Sequence, residues 1–250
     1  MTEAEGVGVT AEALSMLYTR YRFAVEFGVG KRILEVACGP GHGLGYLANQ
    51  ARSVVGGDYT FSLIRKAQRH YRGKIPVLRL DSHALPFRNA SFDVIIAFEA
   101  LYYFERPDVF LQECRRTLHE GGRLLLCTAN KEWEGFNPSP FCTRYFSIRE
   151  LSDLLQANRF RADFFCAFPV GAQSPQGWVV SRLRRLAVGC NLIPRTMKGK
   201  EALKRLFLGP LAPLPAEVHD GMAPYCPPES IAAHLPRPDC KVLFAVARAS

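Results

Sequence analysis

A chain of 250 residues, 48% hydrophobic and 22% charged, is long enough to bury one large core and too balanced in composition for a disordered or collagen-like polymer. The acidic opening (residues 1–6) is not followed by an apolar run of signal-peptide kind, and nothing approaches the roughly 18 uncharged apolar residues of a membrane span; the expectation is a cytoplasmic protein. The net charge of +9 is concentrated in residues 171–210, where eight Lys/Arg face the single acid Glu201, a local net of +7.

In chain order, residues 10–26 read as a helix, with Leu14, Leu17, Tyr18, Tyr21 and Val25 at helical spacing. Residues 32–37 form a short apolar strand that runs into Cys38-Gly39-Pro40-Gly41-His42-Gly43, and a helix follows over 44–50. A second strand, 53–58, ends on Asp58, and its helix covers 62–71. A third strand, 76–81, ends on Asp81, and a fourth covers 92–98. Pro107 marks the start of a helix over 108–118, which Glu120-Gly121-Gly122 closes before a fifth strand at 123–127. A Pro- and aromatic-rich loop, 133–146, leads to a helix at 147–158 whose Ser147 and Glu150 spell a capping box. Residues 160–168 make a sixth strand. An irregular insertion at 170–237 carries short amphipathic helices near 178–190 and 199–208, and 241–247 form the last strand.

Strands alternating with helices imply crossover units and a mostly parallel sheet. In such sheets ligands bind beyond the carboxyl ends of the strands, and three features meet there. The loop Gly39-x-Gly41-x-Gly43 lets backbone approach a ligand closely. It lacks the glycine or alanine that a dinucleotide fingerprint wants at the position of Leu44. Asp58, 17 residues beyond Gly41, can accept both hydroxyls of a ribose, or cap a helix. Asp81, followed by Ser82 and His83, can accept from an adenine amino group, or serve as a turn acid. The eight cysteines include no C-x-x-C pair, so reduced thiols and no metal site are expected.

The segments Ile33–Gly43, Val54–Tyr59, Leu80–Phe87, Ser91–Leu101 and Leu118–Leu125 together resemble the class I S-adenosylmethionine-dependent methyltransferase family, small-molecule type, with Ala37 where many members carry glycine. The resemblance covers roughly residues 20–165 and the final strand. It implies a three-layer, Rossmann-like α/β fold with a seven-stranded, mostly parallel sheet. A partly helical cap would be inserted between strands six and seven. The whole would be one domain, 1–250, with its core at about 10–168 and 238–250 and its cap at 169–237. It also implies that Glu35 and Gly39, Gly41 and Gly43 hold the methionine end of S-adenosyl-L-methionine, that Asp58 binds the ribose with Tyr59 beside the adenine, and that Asp81 and Ser82 address the adenine edge. Phe98 and its neighbours would offer backbone carbonyls to the ammonium, and Tyr18, Arg20 and Tyr21 lie where members close a helix over the cofactor. Helix packing is an equal reading of those three.

Methyl transfer from a sulfonium needs alignment and exclusion of water, and a general base where the acceptor is a hydroxyl. Glu99, His83, Tyr103 and Tyr102 are the candidates, Glu99 because it follows the fourth strand directly. Phe98-Glu99-Ala100-Leu101 departs from the D/N/S-P-P-Y/F motif of enzymes that methylate nucleic-acid bases, and no RNA-binding appendage is evident. The expected acceptor is therefore a small molecule. Tyr102, Tyr103, Trp133, Phe136, Phe141, Tyr145 and Phe146 suit a partly apolar pocket or the core. The basic stretch 178–208 reads as a solvated cap face, as a peripheral contact with an anionic membrane helped by Trp178, or as a grip on an anionic substrate. A nicotinamide oxidoreductase and a non-catalytic cofactor-binding module are the rivals. The residues do not fix the acceptor atom or the oligomeric state.

Overall fold

The computed structural model describes residues 8–170 and 211–249. A two-residue strand β1 (Gly8–Val9) precedes helix α1 (Ala11–Gly28), whose first turn is closed by the Thr10 hydroxyl accepting from the Ala13 amide at 3.1 Å. Then come β2 (Arg32–Val36), the short α2 (Leu44–Ala48), β3 (Ser53–Asp58), α3 (Phe61–Tyr71), β4 (Val77–Arg79) and β5 (Phe92–Phe98). A 3-10 turn, Leu101–Tyr103, leads to α4 (Pro107–Thr117), β6 (Leu118–Ala129), α5 (Ile148–Ala157) and β7 (Phe160–Pro169). Beyond residue 210 lie β8 (Ala212–Pro213), β9 (Glu229–Ile231) and β10 (Cys240–Ala249).

The main sheet has the order β4-β3-β2-β5-β6-β10-β7-β9. Pairings from β4 through β6 are parallel, whereas β10 runs antiparallel between β6 and β7. Side-chain alternation divides the core into two layers. Ile33, Val94, Ile96 and Leu125 pack with α1, α2 and α3, and Leu34, Ile95, Leu124 and Leu126 pack with α4 and α5. The outcome is the expected three-layer, Rossmann-like sandwich.

Three local departures have physical causes. Among the described residues the sheet holds eight strands rather than seven, because Glu229–Ile231 pairs antiparallel with the outer edge of β7. The Glu120-Gly121-Gly122 turn does not close a helix. Leu118 already pairs with Phe92, Arg123 pairs with Val94, and the glycines form a bulge inside β6, with Gly121 at φ 73°. His119 lies on that strand. The edge strand β4 is shorter than expected, since Leu80 turns inward against Gly57 and Asp81 starts a turn. The helices expected near 178–190 and 199–208, with Trp178, lie outside the described residues. The later part of the insertion is described: β8 pairs with β1 in a separate two-stranded sheet, and residues 214–226 pack on α1 and α2.

Candidate active site

The carboxyl ends of β2, β3, β4 and β5 form one edge, and the polar residues singled out from the sequence gather along it. The loop leaving β2 is held in an unusual backbone shape, with Ala37, Gly39 and Gly41 at φ 59°, 58° and 87°. At Gly39 an added Cβ would meet nothing within 4 Å, so the main chain there borders open space. The Gly39 amide donates to Asp58 Oδ2 at 2.9 Å, and the Thr60 amide donates to Asp58 Oδ1 at 2.7 Å. One buried carboxylate thus ties the glycine loop to the tip of β3 and the start of α3. Tyr71, on α3, donates to the Gly41 carbonyl at 2.5 Å and accepts from the Gly45 amide at 3.0 Å. Burial and the neighbouring Glu35 and Asp58 push the Cys38 thiol well up, so it stays protonated.

Tyr21 projects from α1 across this loop. Its hydroxyl donates to Glu35 Oε1 at 2.6 Å, and its ring meets Phe98 edge-on at 5.7 Å. Gly43 has no Cβ because the Tyr21 ring fills that place. Gly43→Ala is therefore expected to displace Tyr21 and break its bond to Glu35. Such overpacking costs about 1–3 kcal/mol of stability, and cofactor affinity should fall roughly tenfold with the lost hydrogen bond. Urea unfolding and titration calorimetry check both; an unchanged pair of values would show that Tyr21 does not organise the loop.

Asp81 Oδ1 accepts from both the amide and Nδ1 of His83, each at 2.8 Å, and the His83 amide leads in holding this carboxyl below its usual range. The Arg106 amide donates to His83 Nε2 at 3.4 Å, so both ring nitrogens are engaged. His83 thus braces Asp81. Ser82 is buried beside it. Tyr59 is 66% exposed, with the Arg79 guanidinium 5.2 Å from its ring centre.

Glu99 follows β5 in a left-handed backbone conformation, φ 51°, which strains a non-glycine residue. Its amide donates to the Cys127 carbonyl at 2.8 Å. Tyr102 donates to Glu99 Oε2 at 2.8 Å, and the Cys127 thiol lies 3.6 Å from Oε1. Burial, then the charge of Glu99, raises the Tyr102 hydroxyl far above its ordinary value, so it remains a donor. The loop 133–146 closes over this corner. Thr143 donates to the Tyr102 carbonyl at 2.8 Å, and the rings of Tyr103 and Tyr145 lie 4.6 and 5.0 Å from Tyr102, with Phe136 4.7 Å from Tyr145. Tyr103 is 49% exposed. Phe146, expected as pocket or core, is core, and Phe141 is 86% exposed.

One feature was beyond the reach of sequence reasoning. The Val218 amide donates to the His42 carbonyl at 2.8 Å, and His42 Nδ1 lies 3.1 Å from the Ala216 carbonyl. Asp220 Oδ1 accepts from Tyr18 at 3.1 Å and Tyr46 at 2.7 Å, while Glu217 Oε1 lies 2.6 Å from His70 Nε2. A strap from the end of the insertion thus clasps the glycine loop and α1, α2 and α3. Its partners lie about 150–200 residues apart in the chain, and no local pattern marks them.

Residues 34–126 match the model of a methyltransferase domain family. Over that stretch the chain is similar to S-adenosylmethionine-dependent methyltransferases, and it has their Rossmann-like fold. The chain is 31% identical over 140 residues to a probable S-adenosylmethionine-dependent methyltransferase of Mycolicibacterium smegmatis, a match covering 54% of this chain and 53% of that protein. It is 36% identical over 113 residues to a fatty-acid O-methyltransferase of the same organism, covering 42% and 41%. The matched part therefore spans about half the length of these relatives, or less. A solved S-adenosylmethionine-dependent methyltransferase from Thermotoga maritima shares the fold at a TM-score of 0.60 and 15% identity, over 95% of this chain and 91% of that one. The names of the first of these relatives and of the solved neighbour specify S-adenosylmethionine dependence, and the edge of the sheet here fits that group. Open space borders the Gly39 backbone, and the carboxylates of Glu35, Asp58 and Asp81 suit a cationic ligand rich in hydroxyl and amino donors.

Proposed function

We propose that this chain transfers a methyl group from S-adenosyl-L-methionine to an apolar small molecule bearing a hydroxyl. Glu35 and the main chain of the Gly39–Gly43 loop hold the methionine end, with the Phe98 carbonyl contributing. Asp58 takes the ribose hydroxyls, and Asp81 and Ser82 address the adenine edge with Tyr59 beside it. When bound, the cofactor supplies a methyl carried on a sulfonium and already activated. The chain's own residues then have to bind, orient and keep out water.

Glu99 is the general base in this reading and receives the proton of the acceptor hydroxyl on a carboxylate oxygen. Tyr102 fixes that carboxylate in place. Tyr103, Tyr145 and Phe136 wall the acceptor side and exclude water, and the apolar wall is what favours an apolar acceptor. The M. smegmatis relative named a fatty-acid O-methyltransferase supports the apolar character of the acceptor and methylation on oxygen, not the need for a base, since a fatty acid's carboxylate is already ionised. We assign His83 to bracing Asp81 rather than to proton transfer. Residues 10–168 and 238–250 form the core of a single domain in this proposal, and 169–237 are an insertion in it.

The observation that carries the proposal is Glu99: a carboxylate on a strained residue at a parallel strand's tip, beside the glycine loop, oriented by a buried tyrosine. Incubation with methyl-labelled S-adenosylmethionine and an extract of the native host tests it. Label is expected in organic-soluble small molecules; label confined to protein or nucleic acid would overturn the acceptor class.

A further inference from the structure

Charge in this protein is not confined to the segment 171–210. From Phe61 to Leu80 the chain has Arg65, Lys66, Arg69, Arg72, Lys74 and Arg79 and no acid at all. Helix α3 turns Ile64, Ala67 and Tyr71 into the core, and Phe61, Arg65 and Arg69 follow one another along an exposed stripe, with Lys66 beside it and Arg72 exposed at the helix's C-cap. Arginines four residues apart repel each other on a helix, and the helix has no acid of its own to offset them. Among the described residues, Glu217 meets α3 from elsewhere in the chain, and it takes His70 at the edge of the stripe. At the amino end of the stripe stands Phe61, 59% exposed, with the Arg65 guanidinium 5.8 Å from its ring centre. Because Phe61 follows β3, that aromatic end lies at the ligand-binding edge of the sheet.

We propose that this face of α3 docks on an anionic lipid bilayer, with Phe61 at the headgroup level and Arg65, Lys66, Arg69 and Arg72 over lipid phosphates. Cations with no acid partner among the described residues call for an anionic surface, and an exposed aromatic beside them calls for a partly apolar one. A membrane satisfies both, whereas a nucleic acid offers the first and uses the phenyl ring only by stacking on unpaired bases. Tyr59 stays with the proposed adenine site and takes no part. The inference is independent of the acceptor's identity, because it concerns binding of the protein alone.

The test is sedimentation of the full chain with phosphatidylcholine vesicles containing none or about one third phosphatidylglycerol, without cofactor or acceptor. Each Lys/Arg at such a surface contributes about a fivefold factor in partitioning. The variant Arg65→Gln with Arg69→Gln and Arg72→Gln should therefore bind the anionic vesicles about a hundredfold more weakly, with an unchanged circular dichroism spectrum. Phe61→Ser, which leaves the charge intact, should weaken binding roughly tenfold. Lys198→Gln with Lys200→Gln and Lys204→Gln reports separately on the other basic segment. Vesicle binding that is indifferent to phosphatidylglycerol, or to the triple arginine variant, would overturn the proposal. So would binding that ignores Phe61→Ser and is competed away by a short single-stranded RNA, which would mark the stripe as a nucleic-acid surface.

Discussion

Asp58→Ala is expected to weaken binding of S-adenosylmethionine by at least about a hundredfold, read by titration calorimetry. Two losses combine. The carboxylate that would accept from the ribose is removed, and breaking a buried, charged hydrogen-bond partnership costs about 2–5 kcal/mol. The amides of Gly39 and Thr60, which now donate to its two oxygens, also lose their acceptor, so the glycine loop is no longer pinned to β3. Each unsatisfied amide costs about 1–3 kcal/mol, and thermal unfolding should show a lower midpoint. Asp58→Asn separates the effects. Its single carbonyl oxygen can still serve one amide, so much of the stability should return while affinity stays well below the parent's. Near-parental affinity in the alanine variant would remove Asp58 from the cofactor site.

Much of this architecture is legible in the sequence because it depends on short-range rules. The apolar strands 32–36, 53–58 and 92–98 end where the Gly39–Gly43 loop, Asp58 and Glu99 begin. The capping box at Ser147 and Glu150 is present with both hydrogen bonds, 3.2 Å to the hydroxyl and 2.7 Å to the carboxylate. Leu44, which argued against a dinucleotide fingerprint, has a structural part to play: its Cδ1 occupies the place a Cβ on Gly56 would take, 2.5 Å away. What stayed hidden depends on partners far along the chain. Nothing in Glu229-Ser230-Ile231 is strand-like by itself; it becomes one because the outer edge of β7 offers unpaired backbone groups. The glycines at 121 and 122 read as a helix stop, and only the pairing of Leu118 with Phe92 turns them into a bulge. His42 sits within the glycine motif, yet its contact with Ala216 and Val218 could not have been guessed from that motif.

The strap changes how the edge is understood. A glycine loop gains ligand access from its freedom, and the same freedom would let it wander. Here it is tied on three sides: by Asp58 beneath, by Tyr71 from α3, and by residues 216–218 across His42. Pre-ordering of this kind lowers the entropy lost when a ligand binds. It also places the end of the insertion in direct contact with the glycine loop.

Glu99→Gln is expected to lower kcat about 10²- to 10⁴-fold, the usual contribution of a general base, while affinity for S-adenosylmethionine stays within about twofold of the parent's. The substitution keeps the shape and leaves an amide oxygen able to accept from Tyr102 in place of Oε2, so the fold should be unaffected. Tyr102→Phe probes the same corner from the other side. Removing that donor leaves the carboxylate free to turn, and kcat should fall about tenfold. A residue that merely packed the corner would change stability without lowering kcat. If Glu99→Gln kept kcat within about threefold of the parent, the acceptor would carry its own nucleophile already deprotonated, and Glu99 would serve only to hold Tyr102 and the strand tip in place.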